Sequence, residues 1–165
     1  MPRTSDYNAA AIGTMILLLP LVGCTSLTDV SNDSRYQFGF RPGQVYRLNS
    51  AAELLQFGKN DSDWVLHAPG AESTTAGVVV RGTLPAGSRL RIDRLVHETI
   101  AAPVQGESHV LVYATLLDPP WVGRQIEIGW SMCHTVFFQA PDGWPTVAGR
   151  PDSAYLAIED ETRKR

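Results

Sequence analysis

Apolar and polar positions alternate with period two in several short runs of this chain, and glycines and prolines punctuate the sequence every several residues. The clearest is Gln125 to Met132. There Ile126, Ile128, Trp130 and Met132 point one way, and Gln125, Glu127, Gly129 and Ser131 the other. That alternation predicts a half-buried strand with Trp130 in the core. Val136-Phe137-Phe138 prolongs the apolar run after a bend. The predicted partner is His109 to Leu117, apolar on both faces and so central, reached through a long hairpin loop, Asp118 to Arg124. A second predicted hairpin runs from Gly77 to Leu84, turns at Pro85-Ala86-Gly87 and returns through Arg89 to Val96. Leu90 and Ile92 face inward there, and Arg89, Arg91 and Asp93 outward. Ser50 and Glu53 have capping-box spacing, which predicts a short helix through Gln56. No stretch of 12 or more residues carries a helical stripe. Short strands with turn signals between them indicate a mainly β fold, a single small barrel or sandwich with at most one short helix.

The N-terminus breaks this pattern. From Ala9 to Val22 no residue is charged, and Met15 to Leu19 is wholly apolar. Crossing a hydrocarbon core takes about 20 residues, so this run suits a secretory signal better than a span. Pro20 ends any helix there. The run closes as Leu21-Val22-Gly23-Cys24, which resembles the lipobox of bacterial lipoproteins. The resemblance implies a signal peptide over residues 1–23, cleavage before Cys24, diacylglycerol on the Cys24 thiol and acylation (palmitate) of the new amino terminus. It implies a membrane contact through this lipid anchor, in the bacterial cell envelope. Thr25, where Asp favours inner-membrane retention, leans the placement towards the periplasmic face of the outer membrane. Stable anchoring takes about two acyl chains, at about 0.8 kcal/mol per buried methylene.

Residues 25–35 are polar apart from Leu27 and Val30, and read with Cys24 as a lipidated tether over 24–35 spanning about 20 Å. The β-rich domain then covers 36–158, and 159–165 is a charged tail. Two segments within that domain, Gly82 to Ile92 and Gly123 to Trp130, are similar to the turn-and-strand texture of bacterial SH3-like barrels, which makes that barrel the favoured form.

Composition narrows the function classes. The formal net charge is −3 and stays so when Arg3 and Asp6 leave with the signal. This balance argues against a nucleic-acid partner. The chain has two cysteines. With Cys24 lipidated, Cys133 has no partner for an internal disulfide and reads as a small buried residue.

Candidate chemistry is sparse. Gly129-Trp130-Ser131-Met132-Cys133 nearly matches a nucleophile elbow but lacks the last glycine and a following helix. Cys133 precedes His134, yet adjacent strand residues point to opposite faces. His97 and His109 flank the loop Thr99–Ser108 and face each other across its base in a hairpin, beside Glu98 and Glu107, which makes them weak zinc candidates. Trp121 and Trp144 lie in proline-rich loops and, with Arg124, either form a contact face for a partner or fold back to cap the domain. There is no cofactor motif beyond the lipid on Cys24. The favoured function is a lipid-anchored adaptor, assembly factor or inhibitor whose β domain binds an envelope protein or peptidoglycan. The alternatives are a small periplasmic hydrolase using Cys133 or Ser131 with a distant histidine, and a structural envelope spacer.

Overall fold

The structure, a computed structural model, describes residues 24–58, 64–70, 77–101 and 106–159. The proposed signal (1–23) and the tail beyond Glu159 lie outside these residues. The fold is mainly β, as the alternation predicts. The strands are β1 (Cys24–Asp29), β2 (Val45–Leu48), β3 (Ala52–Phe57), β4 (Trp64–His67), β5 (Val78–Leu84), β6 (Arg89–Ala101), β7 (Glu107–Leu116), β8 (Gln125–Ile128), β9 (Cys133–Gln139), β10 (Pro145–Pro151) and β11 (Leu156–Ile158). Single-turn 3-10 helices over Ser34–Tyr36 and Trp130–Met132 complete the described elements.

All the strands belong to one sheet. Its main path runs β11-β2-β6-β7-β8-β4-β3-β5; β1 joins β6, and β10 lies between β7 and β9. Among the described residues no pairing joins β11 to β5, so the wall is left open. Side chains from both ends of the path, Leu156 and Leu84 among them, enter one core with Tyr46, Leu54, Leu66, Ile92, Leu116 and Ile126. The sheet therefore wraps round that core.

The spine is the antiparallel pair β6–β7, ten register pairs from Leu90↔Leu116 to Ile100↔Glu107 with a bulge between Ile92 and Arg94. Leu90 and Ile92 are buried and Arg91 is exposed, following the predicted alternation. β7 and β8 form the expected long hairpin, closed at its mouth where Arg89 donates from its backbone and guanidinium to Asp118, both at 2.7 Å.

Four sequence expectations are corrected. Cys24 to Asp29 is a strand rather than a tether, paired with β6 from Cys24↔Ala101 to Asp29↔Val96. All six of its side chains are exposed, so its backbone hydrogen bonds, not apolar burial, place it there. The SH3-like hairpin does not pair with itself. β5 pairs with β3, while the end of β2 meets the intervening turn through Leu48 N to Ser88 O and Gly87 N to Leu48 O. Residues 52–57 form β3 instead of a helix. Ala52, Leu54 and Leu55 are all fully buried, and Ser50 donates to the Ala154 carbonyl rather than capping. The fourth correction lies at Gly129, where the long predicted strand ends and the chain turns. Trp130 is consequently 36% exposed, while Met132 is fully buried.

Candidate functional site

The bulge in β6 sets the local geometry. Beyond it Leu95, Val96 and His97 are consecutively buried. His97 sits against the ring of Tyr36, with centroids 5.2 Å apart. Across the sheet, β7 brings Ser108, and β10, running parallel to β7 with Val147↔His109, brings Thr146 alongside. His97 Nε2 lies 2.6 Å from Ser108 Oγ, and Ser108 Oγ lies 3.0 Å from Thr146 Oγ1. Thr146 donates in turn to the Trp144 carbonyl at 3.0 Å. On the other side of the imidazole, His97 Nδ1 lies 3.6 Å from Asp142 Oδ2. Asp142 Oδ1 accepts the Trp144 N–H at 3.3 Å. His97, Ser108 and Thr146 are almost wholly buried, and Asp142 closes the row from the surface.

Ser108 and Thr146 also line a groove of about 350 Å³. Its other walls include Phe137, Phe138, Pro145 and Val147, with Glu107 and His109 at the β7 side. Phe138 is braced by Tyr36 and Phe38 at 5.7 and 4.7 Å. Phe137 is the opposite case, 78% exposed on β9. β9 itself pairs with β10 alone among the described strands.

The residues singled out from sequence are mostly dispersed. His97 and His109 do not face each other. The register opposes Glu98 to His109 and His97 to Val110, so the two imidazoles lie on opposite faces of the sheet. His109 instead contacts Trp130 and approaches Glu107 at 3.4 Å. No group of three potential metal ligands converges among the described residues. Trp121 packs over Gly82, and Trp144 over Gly106, so closely that a Cβ on either glycine would come within 2.3 Å of the indole. Both tryptophans thus fold back on the sheet. Arg124 stacks on Trp64 at 4.4 Å.

Ser131 does meet a histidine, its Oγ lying 3.0 Å from His67 Nδ1 while accepting the Ala68 N–H at 2.9 Å. The backbone of Gly129 packs against the far nitrogen of that ring. The pair ties the end of β4 to the turn before β9, with both faces of the hydroxyl already used. Cys133 is packed beside Gly149. Burial, and secondarily the charge of Asp152, push its thiol up to about 12, the reverse of an activated nucleophile. His134 points away to Asp152, at 3.5 Å. Among the described residues neither Cys24 nor Cys133 is in a disulfide, and Cys24 is exposed.

Sequence reasoning missed Ser108, Thr146 and Asp142. Ser108 and Thr146 are polar residues in strands, with no motif to mark them. Asp142 lies in an ordinary Pro-Asp-Gly turn, and only strand order brings the three to His97. Comparisons with protein-family models, with curated proteins and with solved structures find no match for this chain.

Proposed function

We propose that this chain is an envelope lipoprotein, anchored through lipid on Cys24, whose β domain binds a protein partner along β9. The observation that carries the binding reading is Phe137, a large apolar side chain mid-strand that is 78% exposed beside an apolar groove. An edge strand offers backbone donors and acceptors to an extended segment of another protein, and side-chain pockets beside it give specificity. The contact residue is then Phe137, because Trp121 and Trp144 are engaged with their own sheet. The anchor reading rests on the lipobox resemblance. It is compatible with Cys24 lying within β1, opposite Ala101, which would hold this part of the sheet near the lipid surface. Leu27, 65% exposed, would face the same region.

Crosslinking pull-down from cell envelopes tests both parts, comparing wild type with Phe137→Ser and Cys24→Ala. The expected result is loss of a specific protein band in Phe137→Ser with membrane fractionation unchanged, and release of Cys24→Ala from the membrane or stalling of its precursor. An identical crosslink pattern in Phe137→Ser, or enrichment of peptidoglycan fragments instead of protein, would overturn the binding reading. Unchanged membrane association of Cys24→Ala would overturn the anchor.

A further inference from the structure

We propose that the partner reaching β9 also lies across one outer face of the sheet, from Phe137 to Leu27, and is a basic protein that sets a lysine or arginine against Glu98. The inference rests on the partner reading above and names that partner's chemistry. Four strand registers in series carry it. Leu27 opposes Glu98 across β1 and β6, and Glu98 opposes His109 across β6 and β7. His109 opposes Val147 across β7 and β10, and Val147 opposes Phe137 across β10 and β9. Paired residues point to the same side of a sheet, so these five side chains form one lateral row. Neighbouring strands lie about 4.8 Å apart, which makes the row about 19 Å long. Ser108, Thr146 and His97 point to the other side and are buried. Among the described residues Phe137 and Leu27, 78% and 65% exposed, are the two most exposed large apolar side chains. They stand at the two ends of this row, although β1 and β9 are far apart in sequence. Val147 in the row, and Ile100 and Leu111 beside it, are half-buried. Exposed apolar surface of this extent, interleaved with polar groups, marks an interaction face.

Charge decides which occupant fits. Glu98 is half-buried and has no ion pair or side-chain hydrogen bond among the described residues. Glu107, on the same face of β7 as His109, is 68% exposed and approaches His109 at 3.4 Å. Asp29 adds a third carboxylate at the β1 side, opposite Val96. Arg94, the nearest arginine along β6, lies instead over the Tyr113 ring at 4.7 Å. Covering an unpaired carboxylate is costly unless the covering surface brings a cation. A second copy of this chain would lay the same carboxylates against one another. An anionic lipid surface would repel them. A basic protein supplies the opposite charge at Glu98 while its apolar side chains cover Phe137, Val147 and Leu27.

The test places the photocrosslinker p-benzoylphenylalanine at Leu27, at Phe137 and, as a control on another part of the wall, at exposed Arg91, in the full-length chain in cell envelopes. The expected result is one and the same protein captured from positions 27 and 137 and not from 91. Its crosslinked peptide, sequenced by mass spectrometry, should hold lysine or arginine near the attachment point. Glu98→Lys should lower capture from both positions about tenfold, with Glu98→Gln between it and wild type. Should Glu98→Lys fail to fold, Glu107→Lys, at a side chain 68% exposed, decides by the same readout. Capture from 137 alone would overturn the placement across the face and leave pairing with β9 standing, whereas no capture from 137 would overturn both. Adducts to lipid or to a second copy of this chain, the same capture from 91, or equal capture in wild type and the charge-reversed variant would overturn the basic partner.

Discussion

Gly82 shows how much one missing side chain can decide. The Trp121 indole occupies the place a Cβ would take, 2.3 Å from the nearest ring carbon. The glycine is therefore required by the tryptophan, not by the backbone. Gly82→Ala must push the ring off the sheet, an overpacking change that typically costs about 1–3 kcal/mol. Urea unfolding of this variant should show a lowered midpoint with an unchanged slope, and Gly82→Ala/Trp121→Leu should recover part of the loss. No recovery would mean that the strain lies elsewhere. Local sequence carried no sign of this contact, since Gly82 and Trp121 are far apart in the chain. For the same reason the loop tryptophans could be read from sequence as either a contact face or a cap.

At the scale of elements, period-two alternation was readable wherever a strand buries one face. Gln125 to Ile128 and Arg89 to Ile92 follow it residue by residue. It failed for β3, which is buried almost continuously and so carries no alternation to set against the capping-box spacing of Ser50 and Glu53. It failed again for β1, whose six exposed side chains look like a linker. The difference between a polar linker and a polar edge strand is a ladder of backbone hydrogen bonds, which side-chain chemistry does not announce. Proline removes such a donor. Because alternate residues of a strand donate towards the partner, Ser26→Pro/Leu27→Pro must delete at least one bond of the β1–β6 ladder. Hydrogen exchange should accelerate over residues 96–101 of β6 while Leu90 to Leu95 stay protected. Unchanged protection at 96–101 would show that β1 contributes nothing to the order of β6.

For the molecule as a whole, one buried and one partly buried acid, Tyr46 and Cys133, make stability depend on alkaline pH. Burial pushes the Cys133 thiol from an ordinary value near 9 up to about 12, and the Tyr46 phenol from 10 up to about 12. Between roughly pH 9 and pH 12 the unfolded chain releases these protons and the folded one keeps them. The unfolded state then binds fewer protons, so folding stability falls as pH rises through that window and is flat with respect to both groups below it. Denaturant titrations at pH 8, 10 and 11 should show this decline. Cys133→Ala should make the slope shallower whatever it does to stability at pH 8. An equal slope in that variant would show that the thiol ionises in the folded state as freely as in the unfolded one.

Sequence alone determined the mainly β class, the inward faces of the alternating strands and the lipobox resemblance at Cys24, because each is written in local order and spacing. The partners of each strand, the inward fold of Trp121 and Trp144, the opposite facing of His97 and His109, and the meeting of Ser108, Thr146 and Asp142 with His97 were decided only by the tertiary structure. These depend on strand order and register, and a register shift of one residue reverses which face every side chain occupies.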